Sequence, residues 1–271
     1  MPRRSRLDAE LVRRGLARSR EHASQLIAAG RVTVRGTVAS KPATGVELDA
    51  PVVVRDDADD PNWASRGAHK LLGALAAFEP DGLRVAGRRC LDAGASTGGF
   101  TDVLLRAGAA QVVAADVGRG LLDWRLRTDE RVVVRDRTNV RALRPEDIDG
   151  PADLVVADLS FISLRLVLPA LADCLGADGD LVPMVKPQFE VGRERLGSGG
   201  VVRDPALRAE AVRDVVALAG SLGLRLHGAT ASPLPGPSGN VEYFVWLRRG
   251  EPLDSEQVSR IVGDAVERGP R

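Results

Sequence analysis

Asp92-Ala93-Gly94-Ala95-Ser96-Thr97-Gly98-Gly99-Phe100 follows the apolar run Arg89-Cys90-Leu91 without a break, and an amphipathic segment carrying Val103, Leu104 and Leu105 follows it. A strand ending in a glycine-rich turn before a helix lets backbone approach a ligand closely at the carboxyl end of the strand, where α/β sheets bind their ligands. The turn is neither Gly-x-Gly-x-x-Gly nor a phosphate loop with Gly-Lys-Ser/Thr, so a pyrophosphate is not its natural guest. Asp116 ends the next apolar run about 20 residues on, where such folds set a carboxylate on ribose hydroxyls. An adenosine cofactor without a diphosphate fits these features, and S-adenosylmethionine is the obvious candidate. The plainer alternative is that Asp92 and Asp116 only cap the helices that follow them.

Outward from this turn, apolar runs recur at 111–115, 131–134, 153–157, 180–185, 224–230 and 241–247, mostly separated by helix-length amphipathic segments. That alternation predicts an α/β fold, a parallel sheet covered on both faces. Residues 232–240 between the last two runs read Ser-Pro-Leu-Pro-Gly-Pro-Ser-Gly-Asn, too short for a crossover helix, so an antiparallel pair is predicted at the end of the sheet.

The 271 residues are 44% apolar, enough for one large domain or two small ones. Their net charge of +1 hides an asymmetry: residues 1–55 hold 11 Lys/Arg against 5 Asp/Glu, and residues 56–271 hold 27 against 32. Between them the acidic, proline-containing stretch from Asp56 to Asn62 reads as a linker. In the basic module Ser5 is a candidate N-cap for a helix through Leu7, Leu11 and Val12 that stops near Gly15. Ser19 caps a second helix closed by Gly30, and 31–35 and 51–55 read as strands. Arg3, Arg4, Arg6, Arg13, Arg14, Arg18 and Arg20 cluster at one end, an electrostatic footprint for RNA or DNA phosphates.

Asp158, Lys186 and Glu242 sit at ends or edges of apolar runs, and Lys70 lies on a segment placed to cross the same rim as a helix. Two lysines and two carboxylates converging would form a proton-handling set. Only three of the 38 Lys plus Arg residues are lysine, Lys41, Lys70 and Lys186. Where arginine serves for permanent charge, lysine persists where a separable proton or a compact ammonium is needed. Lys41, in the basic module, reads as an RNA-side or surface residue.

At this point the chain resembles a known family. The segments 92–99, 118–127, 137–141, 158–163, 186–190 and 235–243, together with Ser65 to Lys70, resemble the TlyA haemolysin-like ribosomal RNA 2'-O-methyltransferases. The N-terminal module is similar to the alpha-L RNA-binding motif of a small-subunit ribosomal protein. The resemblance implies a Rossmann-like, FtsJ-like methyltransferase domain over 65–250, after an α+β RNA-binding domain over 1–55 and a linker over 56–64, with 251–271 as a C-terminal tail. It implies a catalytic tetrad of Lys70, Asp158, Lys186 and Glu242. S-adenosylmethionine would lie on Asp92, Gly94, Ala95, Ser96, Thr97, Gly98, Gly99 and Phe100, with Asp116 on the ribose, Asp136 near the adenine amine, and Val117 and Asp158 as further cofactor-binding residues. Arg66 and His69 join the RNA-binding set as neighbours of Lys70. The substrate implied is cytidine of ribosomal RNA in ribosomal subunits. Where the family's linker often carries an aromatic-valine pair, this chain reads Asn62-Trp63-Ala64-Ser65.

Competing classes fit less well. A base-amino methyltransferase places Asn/Asp-Pro-Pro-aromatic after the fourth strand, and Asp158-Leu159-Ser160-Phe161 lacks those prolines. A nicotinamide oxidoreductase lacks its pyrophosphate loop. A non-enzymatic ribosome-binding factor matches the composition, and a pore-forming haemolysin conflicts with the lack of any run of about 20 apolar residues. Cys90 and Cys174 lack metal-ligand spacing and read as core thiols of a cytoplasmic protein; no metal is expected. Residues 189–204 are expected as a mobile basic loop over the active site, and Trp63, Trp124 and Trp246 as core or linker anchors.

Overall fold

The computed structural model describes residues 4–17, 19–55, 61–236 and 238–270. Arg3, Arg18 and the acidic stretch 56–60 lie outside the described residues. The chain forms two compact units, Met1–Asn62 and Trp63–Arg271.

In the first unit, β1 (Arg4–Arg6) leads into α1 (Leu7–Arg13), followed by α2 (Arg20–Ala28), β2 (Val32–Val34), β3 (Thr37–Val38), β4 (Gly45–Glu47) and β5 (Val52–Val54). Leu7, Leu11, Ala23, Leu26, Ile27, Val32 and Val46 form its buried centre. Ser19 caps α2 as expected, its hydroxyl accepting from the His22 amide at 3.1 Å. Ser5 does not cap α1. It pairs with Val46 in the antiparallel β1–β4 ladder. The first-turn amides of Leu7 and Asp8 donate instead to the carbonyls of Thr44 and Pro42 at 2.8 and 3.0 Å, so the returning chain supplies the acceptors a hydroxyl would have offered.

The second unit is built on a seven-stranded sheet in the order β11-β12-β10-β9-β6-β7-β8. Its strands are β6 (Arg89–Ala93), β7 (Gln111–Asp116), β8 (Val132–Asp136), β9 (Ala152–Ala157), β10 (Leu175–Val185), β11 (Leu224–Ala231) and β12 (Tyr243–Arg249). Neighbours from β8 to β10 are parallel, whereas β12 is antiparallel to both β10 and β11. Alternate residues face opposite sides. Leu91, Val113, Val155, Leu181 and Val245 join the core under α6 (Leu168–Asp173), α8 (Pro205–Ser221) and α9 (Ser255–Glu267). Cys90, Val112, Leu154, Val182 and Phe244 pack with α3 (Gly67–Phe78) and α4 (Gly99–Arg106).

Three expectations change here. The presumed tail contains α9, a helix with an Asp254/Gln257 capping box that buries Val262 and Ala265 in the sheet's core. Trp63 and Ala64, read as linker, belong to the second unit: the Ala64 amide donates to Asp102 at 2.8 Å, and the Arg106 guanidinium stacks 4.1 Å from the Trp63 ring centre. Trp124, on the short α5 (Trp124–Arg127), is 73% exposed and anchors no core, while Trp246 does. Both cysteines are buried, and burial pushes the Cys90 thiol up to about 12 and that of Cys174 to about 11.

Candidate active site

Parallel strands deliver their carboxyl ends to one rim, and the antiparallel β12 delivers its beginning there. β9 ends at Ala157, next to Asp158, and β10 ends at Val185, next to Lys186. The register Val185↔Tyr243 sets Glu242, the residue before β12, opposite Lys186. The fourth group arrives on α3, whose Gly73 lies so close to the proline-rich segment before β12 that a Cβ there would meet Pro233 at 2.6 Å. One turn away on the same helix, Lys70 Nζ donates to Glu242 Oε2 at 2.6 Å.

The four predicted residues therefore meet. Lys186 Nζ lies 2.6 Å from Asp158 Oδ1 and 4.0 Å from Glu242 Oε1, so Glu242 faces both ammonium groups. Glu242 and Lys186 are buried, and the Asp158 side chain, 23% exposed, is the most solvent-accessible of the set. Two cations and two anions alternate, the arrangement that lets buried charges persist. Two residues assigned no role by the sequence complete it. Ser160 Oγ accepts from Lys186 Nζ at 2.9 Å, and Gln188 Nε2 donates to Glu242 Oε1 at 3.3 Å. A carboxylate only accepts, so the Gln188 nitrogen must face it. Its Oε1 is left buried without a partner among the described residues. Their only sequence signal is position, each two residues beyond a tetrad member on the same rim.

The glycine-rich turn lies beside this set. Gly94 has φ +87°, and a Cβ there would meet the Asp158 carbonyl at 2.6 Å, so turn and tetrad share one backbone wall. Asp116 does not merely cap a helix: its two carboxylate oxygens accept from the Ser96 amide at 2.9 Å and the Gly118 amide at 2.7 Å, joining the turns after β6 and β7. Asp136 accepts from the Gly120 amide and pairs with Arg127, both at 3.2 Å. Val117 is 70% exposed at the same rim. Asp92 is wholly buried; Oδ2 accepts from the Thr101 hydroxyl at 2.7 Å and Oδ1 has no partner among the described residues. Burial, more than the neighbouring Asp158 and Asp116, pushes its carboxyl up to about 7.

Residues 189–204, expected as a mobile loop, are tied down at several points. Glu190 is buried and accepts from Ser163 Oγ and the Leu164 amide, each at 2.6 Å, while Asn240 accepts from the Val202 amide at 2.9 Å and donates to the Gly200 carbonyl at 3.0 Å. Arg66, His69 and Lys41 are exposed, the first two at the start of α3. Among the N-terminal arginines, Arg4 pairs with Glu47 at 3.6 Å, Arg6 and Arg20 with Asp8, and Arg13 and Arg14 with Glu10. Arg14 departs from the expected footprint: its side chain is 19% exposed and donates to the Ala50 and Leu48 carbonyls at 2.7 and 2.8 Å, so it serves the fold. Among the described residues no group of His, Cys, Asp and Glu has metal-holding geometry, and no helix is long and apolar enough to cross a membrane.

Comparison with known proteins shows the family of both units. Residues 63–249 match the FtsJ-like methyltransferase family and residues 5–52 the S4 domain. The 16S/23S rRNA (cytidine-2'-O)-methyltransferase TlyA of Mycobacterium tuberculosis is 60% identical over the full length of both chains. Hemolysin A of Brachyspira hyodysenteriae is 37% identical over 88% of this chain and 98% of its own. A solved structure of a hemolysin-named protein from Streptococcus thermophilus, 37% identical, superposes with a TM-score of 0.75 over 98% of this chain and 97% of that one. By sequence and by fold, the chain belongs to the TlyA family of FtsJ-like methyltransferases.

Proposed function

We propose that the protein transfers a methyl group from S-adenosylmethionine to a ribose 2'-hydroxyl of ribosomal RNA, at cytidine as in its 60% identical relative. The observation that carries this reading is the alternation of Lys70, Glu242, Lys186 and Asp158 beside the glycine-rich turn. When bound, the cofactor supplies a sulfonium methyl already activated for transfer. What remains is to align a poorly nucleophilic hydroxyl with it and to handle one proton.

The residues fit the cofactor. The buried Asp92 Oδ1, without a partner among the described residues, suits a cationic amino group, and Asp116, with lone pairs beyond those used by two amides, suits ribose hydroxyls. Asp136, at the end of β8, would accept from an adenine amine. In the tetrad, Lys186 passes an ammonium proton to Asp158 across the 2.6 Å contact, and the neutral amine left behind orients the 2'-hydroxyl and takes its proton, while Asp158, the member closest to solvent, releases the one it received. Glu242 holds Lys70 against the same centre, so that the ammonium groups stay near each other despite their like charge. The S4 unit, with its excess of arginine, binds the RNA backbone, and Lys41, Arg66 and His69 are further RNA contacts. Ribosomal RNA as substrate implies a cytoplasmic enzyme.

The test is transfer of a labelled methyl group to naked ribosomal RNA, isolated subunits and intact ribosomes, with calorimetric titration of S-adenosylmethionine alongside. Label on RNA with a bound cofactor is expected. Binding to subunits without transfer would make the chain a non-enzymatic ribosome factor, and lysis of erythrocytes by the purified protein without RNA would favour the activity named in some of its relatives.

A further inference from the structure

The N-terminal unit gathers arginines around two buried carboxylates, and the two clusters differ. Glu10 holds Arg13 and Arg14, but Arg14 is turned inward onto backbone carbonyls, so that cluster locks the fold. Asp8 is 4% exposed, and both of its arginines face solvent, Arg6 with 52% and Arg20 with 60% of the side chain exposed. Asp8 Oδ2 accepts from Arg6 Nη2 at 2.9 Å and from Arg20 Nη2 at 3.0 Å, while Oδ1 accepts from Arg6 Nε at 3.1 Å and the Ala9 amide at 2.8 Å. Arg6 immediately precedes α1 and Arg20 opens α2, so one carboxylate joins the starts of both helices.

We propose that Asp8, although acidic, is a positioning residue for RNA: it fixes Arg6 and Arg20 as one paired guanidinium site that grips a backbone phosphate. The inference rests on reading the N-terminal unit as RNA-binding. Two exposed guanidinium groups would otherwise repel and sample many rotamers. Sharing one anion, they lie side by side with excess positive charge. Arg6 uses only its Nε/Nη2 edge, and Arg20 only one nitrogen, on Asp8. The remaining fork edges match the bidentate geometry of phosphate oxygens. Ordering two long side chains before RNA arrives removes a cost that binding would otherwise bear. The Asp8 carboxyl is held far below the ordinary carboxylate range, chiefly by the Arg6 hydrogen bond, so the anion is present at every working pH.

Charge counting gives the opposite sign, since neutralising an acid in a phosphate-binding unit should tighten RNA binding. The experiment titrates dye-labelled full-length protein with purified ribosomal subunits, following fluorescence polarisation. Asp8→Asn is compared with Asp49→Asn, which removes the same charge at an exposed position. Asp8→Asn is expected to weaken binding roughly tenfold, from two side chains left to be ordered on binding, and Asp49→Asn to leave it unchanged or tighter. In an Arg6→Gln/Arg20→Gln background, Asp8→Asn should cost less than about twofold, since nothing is left to position. Binding by Asp8→Asn as tight as by Asp49→Asn, or the same loss in the background lacking Arg6 and Arg20, would overturn the proposal. Because Asp8→Asn could destabilise the unit, the unsubstituted protein gives a second reading: the Arg6 Nε–H resonance should be resolved and protected from exchange before RNA is added. A resonance seen only after subunits are added would also overturn it. Failure of the wild-type chain to bind subunits would instead refute the RNA-binding reading itself, and the proposal with it.

Discussion

At the scale of single residues, the proposed chemistry would depend on ammonium groups that arginine does not replace. Lys70→Arg and Lys186→Arg should each lower the rate of methyl transfer by roughly a hundredfold or more, because a guanidinium does not give up its proton and does not fit a compact three-donor position. Cofactor affinity should stay within about twofold of wild type, and single-turnover kinetics beside calorimetry checks both. Asp92 makes a different expectation. Its folded carboxyl titrates at about 7, above the ordinary 3.8, so the folded protein holds a proton there that the unfolded chain releases. Stability of the cofactor-free protein should therefore fall as pH rises from about 3.8 through 7, by the sign of proton linkage. Cofactor affinity should rise across the upper part of that range as the carboxylate forms. Asp92→Asn should flatten both profiles, read by thermal melts and by calorimetry at pH 5.5 to 8.5. The four tetrad residues and the turn were legible from residue type and place at strand ends. Ser160 and Gln188 were not, because a serine or glutamine in a short loop gives no pattern until a neighbour's Nζ or carboxylate is seen beside it.

At the scale of elements, the rim works because β12 runs against β10 and α3 packs closely over the segment before it. Gly73→Ala would ordinarily favour a helix, yet here the added methyl meets the Pro233 ring at 2.6 Å. It should push α3 outward, lengthen the Lys70–Glu242 contact and lower the rate about tenfold or more, with cofactor affinity little changed; kinetics and a crystal structure of the variant test this. The sheet was readable because runs such as Val112–Ala115 and Leu154–Ala157 are continuously apolar, as strands covered on both faces must be. The antiparallel pair followed from a connection too short to cross over. The small strands β1, β3 and β4 carry no run long enough to show, and β1 took Ser5 from its expected capping role. Helix α9 was missed because the family resemblance stops before it, although its capping box stands in the sequence.

At the scale of the whole molecule, the near-zero net charge conceals one basic and one acidic unit. The basic unit should give ribosome binding a strong salt dependence while cofactor binding stays nearly insensitive to salt. Lys41→Ala should reduce the slope of log affinity against log salt by roughly one, without altering cofactor affinity. Polarisation titrations at several salt concentrations measure it. The charge asymmetry was plain in the sequence. What it could not show is that carboxylates organise the arginines: Asp8 and Glu10 counted only as deductions from the positive total, whereas the structure buries both and builds the arginine pairs on them.

The central claim, that the tetrad directs a methyl group to a ribose 2'-hydroxyl, is tested most directly by locating the label. Alkaline hydrolysis cleaves RNA through a free 2'-hydroxyl, so a methyl group on that oxygen protects the adjoining phosphodiester. Ribosomal subunits labelled by the wild-type protein should yield their label in an alkali-resistant dinucleotide whose first residue is cytidine by mass spectrometry, and Lys186→Arg should yield about a hundredth of it or less over the same initial interval. Label recovered in alkali-sensitive mononucleotides as a methylated base, or label from Lys186→Arg at the wild-type level, would contradict the account.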